Sequence, residues 1–192
     1  MGDMAEMEKA PWILDDPATM LATIIERGDG APGRTLVGAV DDESRTLVDV
    51  ESMDTPAPRP VPCYDRAGVA RASMMLAGMG EGHRRVDLEG ELALRLEDIA
   101  RRLLTRRPRR PSTGRQARVH LFTVVCREGY TVQTAVEEQF RSAWGRVHLP
   151  DVSDGDVYVV TPHGWTGFLD QRCGLRPTVG PVPPSLSLVH RV

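Results

Sequence analysis

The chain has 192 residues, of which 41% are hydrophobic and 27% are charged, a composition that excludes collagen-like, fibrous and wholly disordered proteins. Its formal net charge of −3 argues against a dedicated nucleic-acid binder. There is no apolar run of about 18 residues and no basic leader before an apolar stretch, so neither a membrane span nor a secretory signal is expected. Three widely separated cysteines, Cys63, Cys126 and Cys173, favour a cytoplasmic location over a disulfide framework.

The beginning of the chain predicts a helix followed by a hairpin. Asp16 is a suitable N-cap, Pro17 suits the first helical position, and Gly28 ends the apolar periodicity. Two runs rich in β-branched residues follow, Thr35–Val40 and Thr46–Val50. Polar residues separate these runs, which therefore predict two antiparallel strands.

The middle of the chain predicts a connector and two helices. Ser52–Pro62 contains four prolines and is expected to be extended. Asp65 caps a short predicted helix, Arg66–Ala77. A longer helix is predicted from Asp87 to Thr105 by an apolar stripe at helical spacing, which consists of Leu88, Leu92, Leu96, Ile99 and Leu103. An Arg- and Pro-rich loop, 106–118, follows it.

The second half predicts the centre of a sheet. Val119–Val125 is apolar on both faces, as in a central strand. The elements expected after it are a turn at Arg127–Tyr130, a short strand at Thr131–Thr134, a helix at Val136–Trp144, a turn at Asp154–Asp156, a strand at Val157–Val160 and an edge strand at Gly164–Leu169.

This order of elements predicts an α/β (α+β) fold in which a mixed β-sheet carries helices packed on its faces. A single compact domain is expected over residues 15–175. A flexible N-terminal segment, 1–14, precedes the domain, and a Pro-rich C-terminal tail, 176–192, follows it.

The same order resembles the JAB/RadC-like metalloprotease-type fold over residues 15–170. The resemblance makes Val119–Val125 the strand that leads into the metal site, but Cys126-Arg127-Glu128-Gly129 follows it in place of a His-x-His pair. A catalytic zinc needs three protein ligands and one open position. The resemblance therefore implies a degenerate, non-catalytic bacterial relative without a metal or cofactor. The stretch from Asp154 to Trp165 also resembles an uncharacterised actinobacterial protein family.

His163, Asp154 and Asp156 are the candidate catalytic residues. His163 lies in a turn at the end of a predicted strand, where α/β folds commonly place functional groups. With either aspartate, and with Glu128, it suggests a hydrolase-like enzyme. The alternative is structural, because histidine and aspartate in turns often bond to the nearby backbone. Cys126 is expected to be a buried structural cysteine.

Arg106, Arg107, Arg109 and Arg110 are the candidate binding residues of the Arg-rich loop, and Trp165 is the candidate near His163. Clustered guanidinium groups suit an acidic protein partner or nucleic-acid phosphates. No aromatic residue is interleaved for base stacking, which makes nucleic acid the less favoured partner. The structural alternative is a solvated helix end.

These observations favour a cytoplasmic, non-catalytic α/β domain that acts through protein or ligand binding. Two alternatives stay open. One is a hydrolase-like enzyme with a site at the strand ends near His163. The other is nucleic-acid binding through the Arg-rich loop.

Overall fold

A mixed β-sheet with helices on both faces organises residues 14–57, 88–109, 116–150 and 152–181, which are the residues that the computed structural model describes. The elements in chain order are α1 (Pro17–Arg27), β1 (Arg34–Asp41), β2 (Leu47–Asp54), α2 (Leu88–Thr105), β3 (Val119–Cys126), α3 (Ala135–Trp144), β4 (Val152–Thr161), β5 (Gly164–Gly167) and β6 (Cys173–Gly174).

The six strands follow the order β2-β1-β3-β4-β5-β6. Only the β3–β4 pair is parallel, with α3 as its crossover helix, and the other neighbours are antiparallel. All eight residues of β3 are buried, which confirms the prediction of a central strand. The predicted hairpin is also confirmed, as β1 and β2.

The core lies in two layers, one on each face of the sheet. On one face, α2 and α3 bury Leu96, Leu103 and Phe140 against the strands. On the other face, Ile24 of α1 packs with Phe122 and its neighbours. A Cβ at Gly38 would lie 2.8 Å from Ile24 Cδ1, so glycine lets α1 approach the sheet closely. The predicted fold class, a single α/β domain with a mixed sheet, is confirmed.

The helices begin and end close to their predicted limits. Asp16 accepts a hydrogen bond from the Thr19 amide at 3.1 Å, Pro17 opens α1, and Gly28 follows its last turn. The predicted stripe of α2 is buried at Leu92, Leu96, Ile99 and Leu103. Local capping and apolar spacing were sufficient to predict both helices.

The prediction of a turn at Asp154–Asp156 was wrong. Strand β4 begins at Val152, and Asp154 pairs there with Leu121 of β3. A Cβ at position 155 would lie 2.7 Å from Phe122 Cε1. Glycine is therefore needed at this position for close packing on β3 and not for chain reversal.

The predicted strand at Thr131–Thr134 is absent from the structure, which has a loop there. Thr134 instead caps α3, because its hydroxyl accepts a hydrogen bond from the Val136 amide at 3.3 Å. Strand β5 ends at Gly167, earlier than expected, because the amides of Leu169 and Asp170 turn towards the Asp156 carboxylate.

The boundaries of the domain differ in detail from those expected. Strand β2 runs to Asp54, into the predicted connector. Val179 is buried, and its amide donates to Thr161 at 3.3 Å, so packing extends past residue 175. Four predicted segments lie outside the described residues: residues 1–13, the last part of the connector (58–62), the helix expected at Arg66–Ala77, and residues 182–192. None of the described helices has the length and apolarity to cross a membrane.

Candidate functional site

The parallel strands β3 and β4 end at the same edge of the sheet, where α/β folds commonly bind ligands. Two connections lie there, the loop 127–134 between β3 and α3, and the turn 162–163 between β4 and β5. The sheet continues for one more hydrogen bond, from the Arg127 amide to the Val160 carbonyl at 3.1 Å. This bond brings the starts of the two connections side by side.

A buried ion pair holds the loop 127–134 in place. Arg127 donates through Nε to Glu137 Oε1 at 3.0 Å and through a terminal nitrogen to the Val132 carbonyl. Glu137, only 1% exposed, also accepts from the Thr134 amide at 2.5 Å and from its hydroxyl at 2.6 Å. Glu137 therefore completes the capping box of α3 and neutralises Arg127.

Tyr130 and His163 stack across the two connections. Their ring centroids are 5.1 Å apart and their planes differ by 19°. Tyr130 is 72% exposed, and His163 is exposed too. The His163 amide donates to Thr161 Oγ1 at 3.1 Å, which ties the turn to the end of β4. An aromatic pair is thus held at the rim of the sheet with most of Tyr130 in solvent.

Most of the exposed apolar side chains belong to the two segments that contribute this pair. The large apolar residues that are exposed in the described part of the chain are Leu94, Tyr130, Val132, Leu169 and Leu175. All of these except Leu94 belong to segments 127–134 and 163–175. Gln133 Nε2 donates to the Gly167 carbonyl at 3.1 Å, so the two segments adjoin. Leu175 lies next to Gly164, beside His163, whereas Leu169 lies at the other end of β5, beside Asp156. We call the surface formed by Tyr130, Val132, His163 and Leu175 the Tyr130 face.

Asp156 has a structural environment. It is 1% exposed, and its carboxylate accepts from the amides of Val157 at 2.7 Å, Leu169 at 2.6 Å and Asp170 at 3.1 Å. Burial raises the pKa of Asp156, and the nearby charge of Asp170 acts in the same direction. The carboxylate thus fixes the chain where it leaves β5.

Asp170 extends this polar cluster towards the N-terminal side of the domain. It accepts from the Tyr158 hydroxyl at 2.9 Å and from Arg172 Nε at 2.8 Å. Arg172 also donates to the carbonyls of Leu14, at 2.5 Å, and Asp15, at 3.4 Å. These contacts join the β5–β6 connection to the start of α1.

The structure does not bring the candidate catalytic residues together. Asp156 precedes the end of β4 by five positions, a span of about 17 Å at the usual rise of a strand. Asp154 lies further away, in the first half of β4. Glu128 does share an edge with His163, because it belongs to the same loop as Tyr130. A catalytic role for His163 stays a prediction.

The Arg-rich loop forms contacts within the domain. Arg106 pairs with Asp49 and with Glu51 of β2, each at 2.7 Å. Burial opposes the ionisation of Asp49, but the Val50 amide and Arg106 together hold its pKa below the usual value. Arg107 donates to the carbonyls of Leu104 at 3.1 Å and Ala117 at 3.3 Å.

The other two arginines of the predicted binding set are Arg109 and Arg110. Arg109 is exposed and forms a β-bridge with Gln116. Arg110 lies outside the described residues. Binding of a partner by the four arginines stays a prediction, and two of them already hold the loop in place.

Trp165 and Cys126 lie in the core. Trp165 is 4% exposed. Its Nε1 donates to the Arg176 carbonyl at 2.6 Å, and its ring meets that of Tyr158 edge-on at 5.9 Å. A partner would therefore not reach the Trp165 ring in this conformation. Cys126 is fully buried, as expected, and this burial raises its pKa to about 12.

In the described residues, no three His, Cys, Asp or Glu side chains lie together in a way that could hold a metal ion. Comparisons with protein-family models, curated proteins and solved structures find no significant match. The resemblance to the JAB/RadC-like fold therefore stays a prediction.

Sequence reasoning did not single out the residues of the Tyr130 face other than His163. One signal was present, because Tyr130 follows Gly129 in an otherwise polar turn, and a large aromatic residue is unusual at such a position. The exposure of Val132 and Leu175 carries no comparable signal, since it depends on how the two segments adjoin.

Proposed function

We propose that this protein is a non-catalytic α/β domain that binds a partner protein through the Tyr130 face. The observation that supports this proposal is the concentration of exposed apolar side chains on two adjoining segments. Tyr130 is 72% exposed and Leu175 is 82% exposed. Grouped exposed apolar residues are typical of interaction sites, and tyrosine is enriched among the residues that contribute most to binding.

The anchoring of the face supports the same proposal. The ion pair between Arg127 and Glu137 holds the loop, and His163 supports one side of the Tyr130 ring. A surface that is already ordered loses little conformational entropy when a partner binds. The aromatic ring is thus presented in one orientation, as an interface residue should be.

The environments of the reactive groups make catalysis the weaker alternative. Asp156 is occupied by three backbone amides, and Cys126 has a pKa of about 12, so little thiolate forms near neutral pH. The ion pairs of Arg106 with Asp49 and Glu51 likewise reduce the positive charge that the Arg-rich loop offers to nucleic acid.

The test is affinity capture by the tagged full chain, compared with Tyr130→Asp and Leu175→Asp variants. Both positions are exposed, so the variants are expected to fold. The expected result is that the amount of a captured partner protein is at least tenfold lower with either variant than with the wild type. Hydroxyl-radical footprinting of the purified complex should then show protection of Tyr130 and Leu175.

Leu94→Asp is the matched control, because Leu94 is 68% exposed but lies on α2, outside the Tyr130 face. It should capture the partner as the wild type does. Two results would contradict the proposal. One is a partner that binds both face variants as it binds the wild type. The other, which would favour the Arg-rich loop, is a partner that is lost only after charge reversal of Arg106, Arg107, Arg109 and Arg110.

A further inference from the structure

The described part of the chain ends beside the Tyr130 face. The Val179 amide donates to the Thr161 carbonyl at 3.3 Å, so the chain lies against the end of β4 there. A Cβ at Gly180 would lie 3.7 Å from Pro162 Cγ, and Pro162 directly precedes His163, which belongs to the face. The chain therefore leaves the described domain at the edge of the sheet that carries the Tyr130 face.

The residues that follow have a composition that suits this face. Pro181-Val182-Pro183-Pro184 is a P-x-x-P run, a pattern that favours the polyproline II conformation and is bound by surfaces with exposed aromatic rings. Segment 182–192 also contains two leucines, Leu186 and Leu188. It has Arg191 and no acidic residue, whereas Glu128, two residues before Tyr130, is acidic and exposed. The aromatic, apolar and charged groups of the face thus each have a counterpart in the segment.

We infer that segment 182–192 binds the Tyr130 face of its own chain and so regulates the surface at which the partner protein binds. This inference rests on the proposed function, because it concerns the same site. The segment is long enough, since it spans up to about 34 Å at the rise of polyproline II, and the His163 and Tyr130 ring centroids are only 5.1 Å apart. The prolines then pack on the Tyr130 ring, and the leucines cover Val132 and Leu175.

Attachment to the same chain makes a weak contact effective. A short tether holds the segment at an effective concentration on the order of 1 mM. A peptide that binds with a dissociation constant of about 0.1 mM when separate therefore covers the face about 90% of the time when attached. Because the partner protein binds only the uncovered fraction, its apparent affinity falls about tenfold.

A spin label on the segment tests the inference in the full chain. Ser187→Cys carries the nitroxide in a Cys63→Ser, Cys173→Ser background, where Cys126 is buried with a pKa of about 12 and stays unlabelled. The nitroxide broadens the amide resonances of residues that lie near it. The reference is Ser44, in the turn between β1 and β2 at the opposite edge of the sheet.

Strong broadening is expected across the Tyr130 face and none at Ser44. Leu186→Asp with Leu188→Asp should reduce it at least about threefold, because carboxylates lose hydration against an apolar surface. Leu94→Asp is the control, since it adds a carboxylate outside the face, and it should leave the broadening unchanged. Equal broadening with and without the two leucines would show that they do not hold the segment on the face, and would overturn the inference.

A mixed sample separates binding within one chain from binding between copies. Spin-labelled chain is mixed with isotope-enriched chain that carries no nitroxide, and only the enriched chain is observed. Its resonances should stay sharp, because each segment binds its own face. Broadening of the Tyr130 face in the enriched chain would place the segment on another copy and overturn the inference.

The proposed function fails by a different result. A segment that stays off the face, in a chain that still captures a partner through Tyr130 and Leu175, overturns only this inference. A bound segment in a chain that captures no partner contradicts the proposed function but not the contact within the chain. Where both hold, Leu186→Asp with Leu188→Asp should bind the captured partner about tenfold more tightly than the wild type. An unchanged affinity would contradict the regulatory role.

Discussion

Arg127 and Glu137 form an ion pair, with Nε and Oε1 3.0 Å apart, in a place that excludes solvent from the carboxylate. The pair joins the first residue after β3 to the first turn of α3. A buried charge is costly when its partner is removed. The loop that carries Tyr130 therefore depends on one contact that is remote from the exposed ring.

We predict that Glu137→Ala lowers the free energy of unfolding by about 3–5 kcal/mol. The substitution removes the capping box and leaves Arg127 without its carboxylate. Urea denaturation followed by circular dichroism measures the change. Glu138→Ala, at the exposed neighbouring position in the same turn of α3, should cost less than about 1 kcal/mol. Equal losses in the two variants would contradict the structural role of the ion pair.

Gly164→Ala is expected to destabilise the protein by about 2–4 kcal/mol, combining backbone strain with a steric clash. Gly164 has φ = +125°, and a Cβ there would overlap the Gly174 carbonyl oxygen. Gly33→Ala separates the two causes, because Gly33 has φ = +89° with no atom within 4 Å of its Cβ position. It should cost only about 1 kcal/mol. Thermal unfolding of both variants measures the difference.

Asp156→Asn is predicted to cost about 1–3 kcal/mol near pH 7, because an amide cannot accept all the hydrogen bonds of the carboxylate. The difference in free energy of unfolding between the wild type and this variant should increase on acidification. Burial raises the pKa of Asp156 in the folded state above its unfolded value of 3.8, so the folded wild type takes up its proton first. It gains stability relative to the variant as the pH falls towards 3.8.

The stability difference between the wild type and Asp42→Asn is expected to change with pH in the opposite direction. A hydrogen bond with His120, 2.9 Å long, lowers the pKa of Asp42 below 3.8. The stability that this carboxylate contributes is present above pH 3.8 and is lost as the pH falls through its folded pKa, so the deficit of Asp42→Asn should narrow there. Urea denaturation in steps between about pH 7 and pH 3 measures both trends. Parallel trends in the two variants would contradict these assignments.

The two described cysteines are predicted to react with Ellman's reagent at rates that differ at least about 100-fold at pH 8. Cys173 is exposed. Cys126 is buried with a pKa of about 12, so it should react only when the protein unfolds. A Cys63→Ser background isolates the two thiols, and mass spectrometry of the labelled peptides assigns them. Rapid labelling of Cys126 in the folded protein would be inconsistent with its burial.

Local signals were sufficient for most of the elements. Asp16 and Pro17 define the start of α1, and the spacing from Leu92 to Leu103 defines the buried face of α2, because both patterns act within a few residues of chain. The apolar character of both faces of Val119–Val125 correctly placed β3 at the centre of the sheet. These predictions needed no knowledge of which elements are neighbours.

The prediction failed where a distant partner decides the local conformation. Asp154 and Asp156 are typical turn residues, but strand β4 includes both, and it pairs with β3 on either side of a register shift at residues 155 and 156. Trp165 was a candidate binding residue in the sequence, and in the structure Arg176, Tyr158 and Gly174 enclose its ring. Hydrogen bonding and packing between distant segments outweigh local preference at these positions.

The amino-acid sequence by itself determined the helices, the central strand and the α/β class, because capping and apolar periodicity are encoded over short distances. Only the tertiary structure decided the surface at which function is proposed. The parallel pairing of β3 with β4 stacks Tyr130 on His163 and aligns the segment of Val132 with that of Leu175. Such contacts depend on strand order, which the periodicity of any single segment does not encode.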